Sequence, residues 1–128
     1  MHFVIQEQTV EGQFSNDMLS VSSDPEKGFR PLELFVTSLA GCSGTLLRNL
    51  LHKKRIAYTK LMMDVTITRD PERANRISSL RFQVTVEGEI TPKQCATLSP
   101  LVLNNCGMIQ SVIDSIDITF MIEPSDEQ

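Results

Sequence analysis

The stretch "RPLELFVTSLAGCSGTLLRNLLHKK", Arg30 to Lys54, decides how the rest of the chain is read. Pro31 suits the first turn of a helix, where its missing N–H leaves no bond unmade. No further proline interrupts the next two dozen residues. Leu34, Phe35, Leu39, Cys42, Leu46 and Leu50 recur at helical spacings, and Leu32, Val36, Ala40, Leu47 and Leu51 add a second apolar face. A helix apolar on most sides is buried on most sides. At 1.5 Å per residue it is about 35 Å long. One small domain can hardly cover such a helix, so the pattern implies a dimer whose second copy helps bury it. Gly41 and Gly44 sit at its middle, and each costs roughly 1 kcal/mol there relative to alanine. That cost implies close approach of another helix, a substrate or a second thiol.

The remainder of the chain sets limits. Its 128 residues suit one domain, and 41% apolar with 22% charged residues is ordinary for a globular protein. There is no tryptophan, so aliphatic side chains must build most of the core. A net charge of −4 opposes binding to a phosphate backbone, and no nucleic-acid partner is expected. The run His52-Lys53-Lys54-Arg55 fits a helix C-terminus, where cations complement the dipole. The N-terminus lacks a signal-peptide pattern, and no apolar run is long enough to span a bilayer, so a cytoplasmic location without membrane contact is expected. Three widely spaced cysteines do not make a secreted disulfide framework.

Outward from the helix, "HFVIQEQTV" reads as a strand from His2 to Val10, Gly12 as a turn, and "QFSNDMLSVSS" as two short strands around Asn16-Asp17. Residues 1–23 are thus a small meander, and "DPEKGFRP" is loop chemistry. "KLMMDVTITRD" and "RISSLRFQVTVEGEI" read as long strands joined at "DPERAN". In the second, Leu80, Phe82, Val84 and Val86 alternate with Arg81, Gln83, Thr85 and Glu87, the pattern of a sheet with one buried face. Thr91 and Pro92 open another helix, which Pro100 is expected to kink or end. Asn104 or Asn105 then caps "CGMIQSVID", "SIDITFMI" is a last strand, and residues 124–128 are a polar tail. Strands grouped apart from helices indicate a single α+β domain over 1–128 with mostly antiparallel sheets.

Three thiols are the candidate chemistry. Cys42 lies mid-helix, where a cysteine packs as a small hydrophobe, yet glycines flank it. Cys106 follows two asparagines and opens an amphipathic stretch. Unpaired N–H groups at a helix start favour a thiolate, so context makes Cys106 the more acidic thiol, and Gly107 keeps it accessible. Cys95 has no such support and reads as structural. There is no C-x-x-C and no paired histidine motif, so neither a metal nor another cofactor is expected. Serine-hydrolase and phosphate-loop motifs are absent from the sequence.

Taken in order, the 30–54 segment, "ISSLRFQVTVEGEITPKQ" and "NNCGMIQSV" resemble the OsmC/Ohr family, the osmotically inducible protein C and organic hydroperoxide resistance proteins. The likeness runs roughly from Gly28 to Phe120. It implies an α+β fold formed by an intertwined homodimer, with sheets around a long central helix spanning residues 31–54. It also implies thiol-based reduction of organic hydroperoxides. In that scheme Cys42 attacks the peroxide, Cys106 closes a disulfide, and an external dithiol, such as a lipoyl group, restores both. Apolar neighbours such as Leu39, Leu46 and Met108 would favour alkyl peroxides. The family also supplies an arginine and a glutamate near the start of the helix, for which Arg30 and Glu33 are the candidates here. The chain departs from the hydroperoxide-resistance pattern at three points. No arginine precedes Arg30, Leu32 stands where that branch has its glutamate, and Gly107 follows the late cysteine where many relatives have proline. The alternative reading is a redox sensor or small-molecule carrier on the same fold. A third is a structural dimer with inert cysteines.

Overall fold

The computed structural model describes residues 1–126. The last two residues of the expected tail, Glu127 and Gln128, lie outside that range. The elements are β1 (Phe3–Ile5), β2 (Val10–Gln13), β3 (Met18–Val21), α1 (Pro31–Lys53), β4 (Tyr58–Asp70), β5 (Arg76–Gly88), α2 (Pro92–Asn105), α3 (Gly107–Gln110) and β6 (Asp117–Pro124). The chain forms two compact units, Met1–Ser38 and Leu39 onward, and α1 begins in the first and continues into the second.

The first unit is an antiparallel meander in the order β1-β2-β3. The strand expected over His2 to Val10 is two strands. Gln6 N–H bonds the Thr9 carbonyl at 2.8 Å, closing a turn, and Val10 already belongs to β2. Gly12 is also no turn. It sits inside β2, and a Cβ there would meet the Phe3 and Phe14 rings at 2.8 and 2.9 Å. Those rings pack edge to face with centroids 6.1 Å apart, so glycine makes room for an aromatic pair.

The second unit holds the sheet β4-β5-β6. β5 keeps the expected alternation: Leu80, Phe82, Val84 and Val86 are buried, whereas Arg81 and Gln83 are exposed. β4 pairs with it antiparallel, but β6 runs parallel to β5, Ser79 opposite Asp117 through Val86 opposite Pro124. The helical crossover α2–α3 makes that parallel return sterically possible. Ile118, Phe120 and Ile122 of β6 join the core, and Phe82 stacks on Phe120 with centroids 5.8 Å apart. Gly88, which ends β5, is required by close approach, since a Cβ there would lie 2.4 Å from the Ala57 carbonyl oxygen.

α2 opens on a full capping box. The Thr91 hydroxyl accepts from Gln94 N–H at 3.1 Å, and the Gln94 side chain accepts from Thr91 N–H at 2.9 Å. Pro100 does not end this helix, which continues to Asn105. The carbonyl that Pro100 cannot serve belongs to Ala96; both residues are exposed, so water can satisfy it. Ser99 ties α2 to the sheet, its Oγ accepting from Ile122 N–H at 3.2 Å. The cap of α3 is Cys106, not Asn104 or Asn105, because α2 extends through both asparagines.

α1 meets the length expected of it, with Leu39, Ser43, Leu47 and Leu51 forming a buried stripe four residues apart. By length and composition it could cross a membrane, with a mean hydropathy of 1.2. The expectation rested on uninterrupted apolar runs, and this helix reaches the length only with polar residues among them. Small polar residues interrupt each apolar run without lowering the average much. α1 ends in a Schellman motif: Ile56 N–H bonds the Leu51 carbonyl at 2.9 Å and Arg55 N–H that of His52 at 3.1 Å. Arg55 occupies the left-handed position, with φ of 57°. A side chain there costs about 1–2 kcal/mol. Arg55→Gly is therefore expected to stabilise the protein by about 1 kcal/mol, raising Tm by roughly 3–5 °C. Thermal unfolding followed by circular dichroism checks this.

Candidate functional site

Cys42 and Cys106 come together in the second unit, and both are free thiols. Cys42 projects from α1 and is partly exposed, while Cys106, at the α2–α3 junction, is 1% exposed. The Cys42 thiol is held below the ordinary thiol range. The Met108 backbone N–H contributes most, then the Cys106 thiol, and the Gly107 N–H adds to them against a desolvation effect. Cys106 is pushed up chiefly by burial, and the neighbouring Cys42 raises it further. The environment thus separates two chemically identical groups, lowering the pKa of Cys42 and raising that of Cys106.

This reverses the acidity order expected from local context. The donors at the start of α3 do favour a thiolate, and the Met108 N–H lowers both thiols, but at Cys106 desolvation outweighs them. Cys106 itself occupies the N-cap, makes no side-chain capping bond, and is buried, so desolvation decides its state. Sequence reading missed Met108 as the main donor. No side-chain type marks a residue that acts through its backbone.

The glycines at the middle of α1 have no crowding neighbour among the described residues of one chain. Cβ atoms built on Gly41 and Gly107 meet nothing within 4 Å, and one on Gly44 meets only Met63 Cε at 3.8 Å. Among the described residues nothing presses on the helix at Gly41 or Gly44, so crowding within one chain does not explain them. The space beside Gly107 is open, yet Cys106 next to it is buried, so the glycine does not keep that thiol accessible as expected. Of the three apolar residues expected near the thiols, Leu39 lies on the buried stripe and cannot line an open mouth. Met108 is 44% exposed. Cys95 is buried, and burial raises its pKa, in keeping with a structural thiol. Among the described residues, no group of three or more metal-ligating side chains converges.

Arg30 and Glu33 pair with each other. Arg30 Nε and Nη2 both donate to Glu33 Oε1, at 3.1 and 3.0 Å, and both side chains are about half exposed. Glu33 also accepts from the Arg30 backbone N–H at 3.4 Å, the reach-back half of a capping box. Arg30 holds the Glu33 carboxyl below its ordinary value, first through these side-chain bonds. Neither residue is among the groups that set the Cys42 thiol, and none of those groups is a cation.

The acidity split has a measurable sign. Cys42 alkylation by iodoacetamide is expected to rise with pH around a midpoint below the usual thiol value of about 8.5. Cys106 in the native protein should label only above that value. Mass-resolved labelling from pH 5 to 10 reads both. Stability is a poorer readout because the two thiols oppose each other. The lowered pKa of Cys42 contributes stability above the unfolded thiol pKa, lost as pH falls through the folded one. The raised pKa of Cys106 contributes below the unfolded pKa and is lost as pH rises through the folded one.

Comparison with known proteins follows the same lines. A family model described as OsmC-like protein matches residues 24–121. No curated protein matches. Among solved structures, a hypothetical protein from Aquifex aeolicus superposes with a TM-score of 0.86 at 19% identity, covering 99% of this chain and 96% of that one. The OsmC-like protein from Mycoplasma pneumoniae gives 0.80 at 16% identity, covering 97% and 93%. The organic hydroperoxide resistance protein OhrB of Bacillus subtilis gives 0.68 at 13% identity, covering 95% of each chain. At such identities the structural likeness speaks for the fold alone, and it is the sequence match over most of the chain that assigns the relationship: this protein belongs to the OsmC-like protein family.

Proposed function

We propose that the protein is a thiol peroxidase that reduces organic hydroperoxides through Cys42 and Cys106. One observation carries the reading: a partly exposed thiol whose pKa is lowered lies beside a buried thiol whose pKa burial raises. The Cys42 thiolate attacks the terminal oxygen of R–O–O–H. The S–O bond forms, the O–O bond breaks, and the alkoxide leaves as the alcohol after taking a proton. Cys42, oxidised by two electrons, is then a sulfenic acid. The Cys106 sulfur attacks it, an S–S bond forms, and the hydroxyl departs as water with the Cys106 proton. An external dithiol, such as a lipoyl group, returns both thiols by exchange and becomes a disulfide itself.

The working form in this reading is a cytoplasmic, intertwined homodimer with the long helix at its centre. Two features favour a second copy. The apolar face of α1 that includes Leu34, Phe35, Leu46 and Leu50 is only half-buried in one chain, and Phe3, Ile5 and Met18 of the meander are exposed. Arg30 and Glu33, paired with each other, remain the candidates for the arginine and glutamate that the family supplies near the start of the helix. A redox sensor is the second reading, favoured by the lack of a cation among the groups acting on Cys42. Steady-state reduction of cumene hydroperoxide with dihydrolipoamide separates the two. Sustained turnover supports the peroxidase, whereas a single stoichiometric oxidation supports the sensor.

A further inference from the structure

Apart from the thiols, the second unit carries a cleft of about 400 Å³ lined by Lys54, Lys93, Gln94, Thr97 and Leu98. Lys54 directly follows α1, and Lys93 and Gln94 stand in the first turn of α2. Among the described residues no carboxylate lines this cleft, and neither lysine enters an ion pair. Two uncompensated ammonium groups in one concavity run against the net charge of −4. Like charges gathered this way repel, and an anion between them relieves the repulsion.

The other lining groups complete a receptor for oxygen atoms. The capping box fixes the Gln94 amide, because its Oε1 accepts from Thr91 N–H at 2.9 Å and from the Thr91 hydroxyl at 3.3 Å. The Gln94 NH₂ group is the end left to donate. The Thr97 hydroxyl donates to the Lys93 carbonyl at 3.1 Å and holds the first turn in place. The positive end of α2 adds its field in the same direction. Leu98, fully buried, is the apolar member of the lining. The lysine stems supply apolar wall. The volume is in the range of small-molecule sites, and a bare inorganic ion would leave most of it empty.

We propose that this cleft binds a small organic anion, a carboxylate or a phosphate monoester. Its oxygens sit on the Lys54 and Lys93 ammonium groups and the Gln94 amide, and its carbon portion lies along the lysine stems. The proposal is independent of the thiol chemistry. It is tested by titrating the full-length, isotope-labelled protein at low salt with phenyl phosphate, benzoate, inorganic phosphate and benzyl alcohol, following backbone amide shifts. The expected result is saturable shifts at Lys54 and over residues 93–98 with at least one organic anion, and the tighter of the two identifies the headgroup. Charge reversal at both positions, Lys54→Glu with Lys93→Glu, should raise Kd at least tenfold. Both side chains are on the surface, and a glutamate in the first turn of α2 suits its dipole, so the fold is preserved. Three outcomes would overturn the proposal: no saturable shift with either organic anion, equal affinity for inorganic phosphate or benzyl alcohol, or a Kd within twofold of wild type in the double variant.

Discussion

Cys42→Ser is expected to lower the second-order rate of cumene hydroperoxide reduction by about a thousandfold or more, equivalent to at least about 4 kcal/mol of barrier. A serine hydroxyl placed on the same backbone donors stays protonated at neutral pH, and oxygen is a poor nucleophile toward a peroxide. Cys106→Ser should behave differently. The first attack needs only the Cys42 thiolate, so one equivalent of peroxide should still disappear at a rate within about tenfold of wild type. The modest loss follows from geometry, since the Cys106 thiol is the second contributor to Cys42 acidity and the Met108 N–H, the first, is untouched. Turnover should nevertheless stop, because no disulfide forms and the sulfenic acid proceeds to the sulfinic state. Stopped-flow consumption at one equivalent, set beside steady-state rates, checks both parts. Equal loss of the first event in the two variants would remove the division of labour between the thiols.

Phe82→Ala is expected to cost about 3–5 kcal/mol, a large share of the 5–15 kcal/mol that holds a typical domain folded. Phe82 is wholly buried, stacks on Phe120, and lies at the middle of β5, the strand shared by both neighbours in its sheet. Alanine leaves a cavity that two strands and their partners cannot all collapse to fill. A drop in Tm of roughly 10–20 °C follows. Arg81→Ala, one residue away on the exposed face, should change stability by no more than about 0.5 kcal/mol. Chemical denaturation of the two variants in parallel measures the difference.

The alternation of Leu80, Phe82, Val84 and Val86 placed β5 and its buried face from sequence alone, because strand periodicity and a half-buried sheet are the same fact. The span of α1 was legible to within a residue for a similar reason: one proline start and an unbroken apolar repeat. The direction of β6 was not. Its residues read as a strand, but pairing direction depends on the crossover, and no local pattern encodes it. Pro100 misled because a proline on an exposed helix face breaks one bond that water replaces. The sequence singled out the two cysteines that the fold brings together, but their acidity order came out inverted. Proximity to a helix start was visible in the sequence. How the N–H groups divide between the two sulfurs, and which sulfur is buried, are properties of the tertiary fold.

The central claim is that Cys42 and Cys106 form one redox couple. The direct measurement is peptide mapping by mass spectrometry of the protein after one equivalent of cumene hydroperoxide, without reductant. The account predicts a loss of two hydrogens and a single linked peptide joining Cys42 to Cys106, with Cys95 still a free thiol. Cys42 recovered as sulfinic acid beside an unmodified Cys106 would contradict it.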